Sequence, residues 1–309
     1  MERDAEGVNP EHTIHNPVEA MAMRKVGIYY AFWTHEWDVD FVPFIRKVKK
    51  LGFDQLELNG GTIVSMSSTE QKALKQMADD EDLILSYGIG LQKQYDVSSL
   101  DSRVRSNGLD FMKRMIDSVS NMGGGMIGGT VHSYWPGQMP QELTTKHPIW
   151  DASLESMSIL APYAAERNVH LNVEVLNRFE QFLINDSHEA VAYMQQLNQP
   201  AVGILLDTFH MNIEEDSFGD AIRRVGTYLS AFHLGEANRK MPGTGRMPWA
   251  EIKTALDDIG FDGPMVMEPF VMPGGQVGRD IGVWRDMVKD PDLDAMASTS
   301  AAWVKKHLF

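Results

Sequence analysis

Four short apolar runs decide the fold of this chain: HLNVEVL (170–176), VGILLDTFH (202–210), LSAFHLGE (229–236) and PMVMEPF (264–270). Each run is typical of a buried β-strand, and each carries a polar residue at or near its end. These residues are Glu174, Asp207, His233 and Glu268, separated by 33, 26 and 35 positions. Each interval has room for one strand, one helix and two loops. This spacing predicts a (β/α)8 barrel, in which the ends of successive strands meet at one face.

Strand and helix signals alternate in the same way along the rest of the chain. Four further strands are predicted at 26–32, 55–59, 83–90 and 126–133. Helices are predicted at about 39–51, 68–82, 101–122, 151–167, 187–197, 217–226 and 249–259, with a final helical region at about 280–307. The strands are apolar throughout, as parallel strands buried on both faces usually are. The sequence therefore predicts an α/β fold, a single-domain (β/α)8 TIM barrel over residues 23–309.

A doubly wound sheet is the main alternative for such an alternation. It usually has fewer strands and often carries a glycine-rich phosphate loop. Gly243 and Gly245 follow the seventh strand, but they do not open a GxGxxG element, and no P-loop pattern occurs in the sequence. The barrel is therefore the favoured prediction.

Composition argues against several classes of function. The net charge of −15 over 309 residues opposes non-specific binding to nucleic acid or to an anionic membrane. No apolar run is long enough to cross a bilayer, and the absence of Cys removes disulfides and thiolate metal ligands. Residues 1–22 are polar, contain Pro10 and Pro17, and lack the apolar segment of a secretory signal. We expect a flexible N-terminal tail, a cytoplasmic location, and neither nucleic-acid nor membrane partners.

The four polar residues at the strand ends predict a metal site. Any one of them alone is also compatible with a salt-bridged core position. Charged groups inside apolar strands are costly unless they are paired or bound to a metal, so four at the same end of neighbouring strands favour an ion. Three carboxylates and one imidazole suit a hard or borderline divalent cation, namely Mn²⁺, Co²⁺ or Mg²⁺.

Two of these carboxylates, Glu174 and Glu268, would lie on different sides of the ion. Such a pair suits removal of a proton from a carbon next to a carbonyl, with return of a proton on the opposite face. The metal would bind the neighbouring oxygens and stabilise the charge of an enediolate. The sequence thus indicates a metal-dependent enzyme.

Further polar residues lie in the loops that follow the strands. His210 comes three positions after Asp207, Arg178 and Glu180 follow Glu174, and Arg239 follows the seventh strand. Each is a candidate for binding substrate hydroxyls. The alternatives are that His210 caps a helix or lies in a loop, that Arg178 and Glu180 form a surface ion pair, and that Arg239 is an isolated residue outside any site.

Aromatic residues gather at the same predicted end of the barrel, although aromatics most often belong to a core. Apolar faces of this kind commonly pack against the C–H surfaces of sugars. The candidates include Tyr29, Trp37, Trp135 and Phe270. His132 is compatible with either a structural or a functional position.

Several motifs together resemble the D-tagatose 3-epimerase and D-psicose (D-allulose) 3-epimerase family of ketose epimerases. They include GIYYAFWTHEW (27–37), HSYWP (132–136), EVLNRFE (174–180), LLDTFHMNIEEDSFGDAIR (205–223) and VMEPF (266–270). The resemblance runs from about Val26 to about Asp286. It implies a (β/α)8 barrel with one Mn²⁺ or Co²⁺ ion that works as a homodimer or homotetramer.

The resemblance also implies roles for individual residues. It makes the metal ligands Glu174, Asp207, His233 and Glu268, with Glu174 and Glu268 as the acid/base pair at C3. It places Glu180, His210 and Arg239 at the O1 to O3 end of the ketose. It builds an apolar wall from Tyr29, Trp37, Trp135 and Phe270. The implied reaction is C3 epimerisation of free ketoses through a cis-enediolate, between D-fructose and D-psicose or D-tagatose and D-sorbose.

Three other functions are compatible with a similar barrel. An aldose–ketose isomerase would move the carbonyl, whereas an epimerase would not. A sugar-binding protein with a structural ion would not need Glu268 as a second carboxylate opposite the first. A metal phosphodiesterase would need more metal-binding His residues and a basic face.

The chain departs from the family pattern at several points. It reads GIGLQKQYDVSS (88–99) after the third strand, where a shorter turn is common. Thr130, the Asn59-Gly60-Gly61 segment and Ala237 also differ from the usual residues. These departures bear on which ketohexose is preferred.

Overall fold

Eight parallel β-strands pair in chain order and close into a barrel, because β8 pairs with β1 as well as with β7. The computed structural model describes residues 24–309. The strands are β1 Lys25–Tyr29, β2 Gln55–Asn59, β3 Ile84–Ile89, β4 Gly125–Gly129, β5 Val169–Glu174, β6 Val202–Asp207, β7 Leu229–Leu234 and β8 Pro264–Met267. The predicted (β/α)8 TIM barrel is confirmed. The predicted tail at residues 1–22 lies outside the described residues.

Helices follow the strands and form the outer layer. They are α1 Val42–Lys50, α2 Gly60–Ser65, α3 Ser68–Asp80, α4 Ser102–Asn121, α5 His147–Ala165, α6 Ser187–Leu197, α7 Thr208–Glu214, α8 Phe218–Val225, α9 Trp249–Asp258, α10 Gly275–Ile281 and α11 Leu293–Leu308. Side-chain caps begin several of them, as at Ser67, whose hydroxyl and Glu70 form a capping box for α3. Within residues 24–309, no helix combines the length and hydropathy that a bilayer crossing requires.

Several of the predicted element bounds are wrong, and three of them have a clear physical reason. Strand 1 ends at Tyr29 instead of residue 32, because Tyr30 turns into a 3-10 helix and packs its ring 5.0 Å from that of Phe41. Strand 4 ends at Gly129, whose φ of +109° turns the backbone against β3. A Cβ there would lie 2.2 Å from the carbonyl oxygen of Ile89. The final helical region is two helices, since α10 ends at the left-handed Gly282.

Two short helices that the sequence analysis missed begin directly at strand ends. The Asn59 side chain at the end of β2 accepts a hydrogen bond from the backbone N–H of Gly61 and caps α2. The Asp207 side chain at the end of β6 accepts one from Phe209 and caps α7. Each helix therefore starts at the C-terminal face of the barrel and adds side chains to its rim.

The barrel strands are buried on both faces. Along β2, Leu56 and Leu58 alternate with Gln55 and Glu57, so the polar pair shares one face of the strand. Gln55 and Glu57 are hydrogen-bonded through Ser86 of β3. This polar face leads toward the C-terminal end, where the predicted site residues lie.

Candidate active site and metal centre

The ends of β5 to β8 bring the four predicted metal-binding residues together. Glu174 and Asp207 are the last residues of β5 and β6, His233 lies one residue before the end of β7, and Glu268 follows β8 directly. The strand register pairs Asp207 with His233. One ligand-type atom from each of the four lies within 4.8 Å of all the others. The structure therefore places a compact N,O cluster at the C-terminal face.

The cluster fits a divalent cation. His233 Nδ1 lies 3.7 Å from Glu174 Oε1 and 3.9 Å from Glu268 Oε2, and it has no hydrogen-bond partner among the described residues. A buried nitrogen without a partner is costly, and so are three carboxylates packed together. A cation at this point would accept the nitrogen lone pair and offset the carboxylate charge. Three oxygens and one nitrogen suit a hard or borderline ion.

The electrostatics of the cluster point the same way. Burial raises the pKa of Glu174 well above its usual value and that of Glu268 to about 7, with His233 opposing the rise in both. Burial acts on His233 in the opposite direction, but Glu57 and the other carboxylates raise its pKa well above the usual range. A doubly charged cation nearby would favour ionised carboxylates and a neutral imidazole.

Arg239 connects the cluster to the neighbouring polar residues. Its Nη1 donates to Glu268 Oε2 at 3.0 Å and its Nη2 donates to Glu180 Oε1 at 3.1 Å. Its guanidinium also lies 5.2 Å from the ring centroid of Phe270. Burial tends to raise the pKa of Glu180, but Arg239 is the largest of several influences that bring it down to about 2. An ionised acceptor and a fixed cationic donor therefore stand side by side.

His210 presents a single hydrogen-bond donor to the same space. Its Nδ1 accepts from the backbone N–H of Asn177 at 3.2 Å, which leaves the ring hydrogen on Nε2. The Nε2 atom lies 3.9 Å from carboxylate oxygens of both Glu174 and Asp207. Burial lowers the pKa of His210 to about 4, so the ring is neutral near pH 7.

Aromatic rings form the other walls. The rings of Tyr29, Trp37 and Phe270 contact one another, with centroid separations of 6.3 to 6.4 Å. Trp135 lies on the Glu180 side, where its Nε1 donates to Glu180 Oε2 at 3.0 Å. One cavity of about 810 Å³ is lined by all seven residues predicted to bind substrate. They are Tyr29, Trp37, Trp135, Glu180, His210, Arg239 and Phe270.

Other candidates from the sequence lie elsewhere. Arg178 forms a bidentate ion pair with Glu214, with N–O distances of 2.6 to 3.1 Å, and does not line the cavity. The alternative of an ion pair outside the site therefore holds for Arg178, whereas Glu180 lines the cavity. Tyr30 belongs to the core, and its hydroxyl donates to the backbone oxygen of Trp37 at 2.6 Å. His132 is fully buried beside Tyr193, away from the cavity.

Glu57 is a site residue that the sequence analysis did not single out. Its Oε1 lies 3.2 Å from His233 Nε2, and its Oε2 accepts from Ser86 Oγ at 2.9 Å. It is 5% exposed and lines the cavity. The signal was present in QLELN (55–59), where a charged residue interrupts an apolar strand as Glu174 does in HLNVEVL.

Two of the departures from the family pattern form one unit. Thr130 Oγ1 accepts from the backbone N–H of Leu91 at 3.0 Å, which holds the turn after β3 against the end of β4. The carbonyl oxygen of Leu91 accepts in turn from the N–H of Trp135 at 2.8 Å. The unusual turn and Thr130 together position an aromatic wall of the cavity.

Comparison with known proteins identifies the family of the chain. Residues 45–306 match the model of the xylose isomerase-like TIM-barrel family. The chain is 45% identical over 272 residues to the D-psicose 3-epimerase of Agrobacterium fabrum, covering 88% of this chain and 94% of that protein. It is 31% identical over 271 residues to the ketose 3-epimerase of Arthrobacter globiformis, covering 86% of this chain and 91% of that protein.

Solved structures give the same result. A crystal structure of D-psicose 3-epimerase in the presence of D-fructose superimposes with a TM-score of 0.89 at 43% identity, covering 92% of this chain and 99% of that one. The D-psicose 3-epimerase of Clostridium cellulolyticum H10 with D-tagatose gives 0.89 at 42% identity, with the same coverage. The chain therefore belongs to the xylose isomerase-like TIM-barrel family and, within it, to the ketose 3-epimerases, which are carbohydrate isomerases.

Proposed function

We propose that the protein catalyses reversible C3 epimerisation of free ketoses, interconverting D-fructose with D-psicose and D-tagatose with D-sorbose. The observation that carries this proposal is the pair of carboxylates, Glu174 and Glu268, whose oxygens lie 3.7 and 3.9 Å from His233 Nδ1. The names of the relatives support the substrate class, because they include D-psicose 3-epimerases and ketose 3-epimerases.

We assign the metal to Glu174, Asp207, His233 and Glu268, with Mn²⁺ or Co²⁺ as the expected ion and Mg²⁺ as a compatible one. When bound, such an ion polarises the substrate carbonyl and stabilises the negative charge that develops on the enediolate. Asp207 has one oxygen committed to the N–H of Phe209 at 2.7 Å, so its other oxygen is the one offered to the cluster.

Proton transfer belongs to the two glutamates. One takes the proton from C3 to give a cis-enediolate, and the other delivers a proton to the opposite face of the same carbon. Burial raises the pKa of both, and that of Glu268 lies at about 7, which suits a group that exchanges a proton near neutral pH. The Arg239 guanidinium, 3.0 Å from Glu268 Oε2, keeps that carboxylate in place.

Three residues beside the pair are suited to hold the O1 to O3 end of the sugar. Arg239 and the Nε2–H of His210 supply donors, and the ionised Glu180 supplies an acceptor. Their positions are fixed before substrate arrives, because each is hydrogen-bonded to a neighbour. The aromatic residues Tyr29, Trp37, Trp135 and Phe270 would pack against the C–H faces of the sugar.

An unphosphorylated substrate is favoured by the charge of the cavity. Its acidic lining residues outnumber the basic ones, which are Arg239 and Arg279. Arg239 is already paired with Glu180 and Glu268 at 3.1 and 3.0 Å. A phosphate would therefore meet mostly negative charge. A ketose without phosphate avoids this repulsion.

The test is incubation of the Mn²⁺-loaded protein with D-fructose, D-psicose and D-tagatose in D₂O, followed by NMR. We expect a C3 epimer that carries deuterium at C3. Movement of the carbonyl to C1 would assign the protein to the aldose–ketose isomerases. Absence of exchange with all three sugars would favour a sugar-binding protein. The homodimeric or homotetrameric state and the cytoplasmic location stay predictions.

A further inference from the structure

A chain of buried polar side chains runs from β2 to the metal cluster. Gln55 Nε2 donates to Ser86 Oγ at 2.6 Å, and Ser86 Oγ donates to Glu57 Oε2 at 2.9 Å. The other oxygen of Glu57 faces His233 Nε2 at 3.2 Å. All four residues are no more than 5% exposed. We call Gln55, Ser86 and Glu57 the β2–β3 relay.

The His233 ring separates the relay from the cluster. Its Nε2 faces Glu57, whereas its Nδ1 faces Glu174 and Glu268 at 3.7 and 3.9 Å. A neutral imidazole has one N–H and one lone pair, on different nitrogens. The 3.2 Å contact between Nε2 and Glu57 Oε1 does not meet hydrogen-bond geometry, but the negative charge of Glu57 favours the ring hydrogen on Nε2. That tautomer leaves the lone pair on Nδ1, where the four ligand atoms meet.

We infer that Glu57 is a positioning residue for the metal site. It holds the His233 ring in the rotamer and tautomer that aim Nδ1 at the cation, as carboxylates behind metal-bound histidines commonly do. Ser86 and Gln55 hold Glu57 in turn. This inference rests on the metal site of the proposed function, but it adds residues from β2 and β3, strands that supply none of the four clustered ligands.

The alternative, that Glu57 is itself a ligand, fits the contacts less well. One of its oxygens is committed to Ser86 and the other faces the ring nitrogen that points away from the cluster. The group of ligand atoms within 4.8 Å of one another contains Glu174, Asp207, His233 and Glu268. Glu57 therefore reaches the metal position through His233.

The test measures Mn²⁺ affinity without sugar, from the electron paramagnetic resonance signal of free Mn²⁺. Glu57→Ala should raise the Mn²⁺ dissociation constant about 10- to 100-fold, the usual cost of removing a residue that orients a ligand. Glu57→Gln, which keeps an acceptor oxygen of the same reach, should restore part of the affinity. Ser86→Ala should weaken binding by a smaller factor, because Glu57 keeps its charge but loses its support.

Glu215 offers a matched control. It is a partly buried carboxylate that accepts from the N–H of Ser187 at 2.6 Å and the Ser187 hydroxyl at 3.1 Å, lies 3.8 Å from Arg224 Nη1, and is not part of the cluster. Its side chain is 7% exposed, close to the 6% of Glu57. Glu215→Gln should lower the thermal midpoint while leaving the Mn²⁺ dissociation constant within about twofold of the parent, since it removes no contact near the metal.

A spectroscopic readout separates a change in the orientation of the His233 ring from a general loss of stability. In the Co²⁺-loaded protein, a reoriented His233 changes the ligand field, so Glu57→Ala should shift the visible bands whereas Glu215→Gln should not. An unchanged Mn²⁺ dissociation constant in folded Glu57→Ala would overturn the inference. If that variant does not fold, as judged by circular dichroism, unchanged affinity in both Glu57→Gln and Ser86→Ala overturns it.

These outcomes are independent of the reaction. If no ketose is turned over but Glu57→Ala loses Mn²⁺ affinity, the proposed function fails and the inference stands. If ketoses are epimerised and Mn²⁺ affinity does not depend on Glu57 or Ser86, the proposed function stands and the inference fails.

Discussion

The two halves of the barrel's C-terminal face are built differently. On the β5 to β8 side, each strand ends in or next to a charged residue of the metal cluster, and a regular spacing of 26 to 35 residues separates these positions. On the β1 to β4 side, the cavity is lined largely by aromatic residues, small residues and turns, among them Tyr29, Trp37 and Trp135. Asp38 and Glu57 are charged residues on that side, and Glu57 contacts His233 of the cluster.

This difference separates chemistry from substrate choice. Reacting groups must be held to within a fraction of an ångström, and strand ends in a closed barrel provide that rigidity. Turns tolerate change, so a cavity wall built from them can vary without disturbing the reaction. Substitutions on the β5 to β8 side should therefore affect the rate of every substrate, whereas those on the other side should affect the preference among substrates.

The largest expected effect tests the β5 to β8 side directly. Glu174→Gln and Glu268→Gln each remove a proton-transfer group, and either change should lower kcat by about 10²- to 10⁴-fold for every ketose. Steady-state assays with D-psicose and D-fructose provide the measurement. Glu214→Gln is the control, because Glu214 pairs with the exposed Arg178 and does not line the cavity, so the change should leave kcat nearly unchanged. Retention of more than a tenth of the parental kcat would refute the role of that glutamate.

Metal removal is the next test of the same side. Chelation should abolish turnover, and Mn²⁺ or Co²⁺ should restore it. It should also lower the thermal midpoint, because the crowded carboxylates and His233 lose the charge that offsets them. At a metal concentration about 100 times the dissociation constant, binding contributes about 2.7 kcal/mol. Calorimetry with and without Mn²⁺ measures this shift, and an unchanged midpoint would argue that the cluster does not hold an ion.

The pH dependence of the metal-free protein gives a smaller effect. Burial raises the pKa of Glu268 to about 7, so folding favours its protonated form. The stabilisation from that proton is present below the unfolded pKa and is lost as pH rises from about 4.5 to 7. Gln resembles the protonated acid in shape. Metal-free Glu268→Gln should therefore gain stability relative to the parent between pH 5 and pH 8, on the order of 1–3 kcal/mol.

Urea unfolding of both metal-free proteins at several pH values measures that difference. The comparison between variants matters, because other groups titrate in the same range with opposite sign. Burial lowers the pKa of His210 to about 4 and that of His132 to about 3, so both stabilise the fold as pH rises toward 6.5. These contributions are common to both proteins. A stability difference that does not change with pH would contradict the raised pKa of Glu268.

The two halves also differ in what the sequence could predict. The β5 to β8 side was predictable because a charged residue at the end of an apolar strand is a local signal, and regular strand spacing converts it into a shared position. The same spacing predicted the barrel itself. His210 was identified as a candidate, but its neutral form depends on burial and the position of its ring hydrogen on a contact with Asn177 of another loop.

The β1 to β4 side was less predictable because its geometry depends on tertiary contacts. Nothing local indicates that Tyr30 leaves the strand to pack on Phe41. Glu57 lies in a strand whose sequence shows a charged residue, yet its partner His233 is 176 positions further along the chain. The support that Thr130 gives to the turn after β3 likewise depends on the register of β3 and β4.

Thr130→Ala is the smallest and most selective change. It removes the acceptor of the Leu91 N–H at 3.0 Å and so loosens the turn that holds Trp135. The loss of one hydrogen bond costs about 1 kcal/mol, and kcat should stay within about twofold because the reacting groups lie on the other side. The ratio of kcat/KM between D-fructose and D-tagatose should change several-fold. Thr130→Ser, which keeps the hydroxyl, should retain the parental ratio. A fall in kcat of more than tenfold for both sugars at an unchanged ratio would show that the chemistry also depends on the β1 to β4 side.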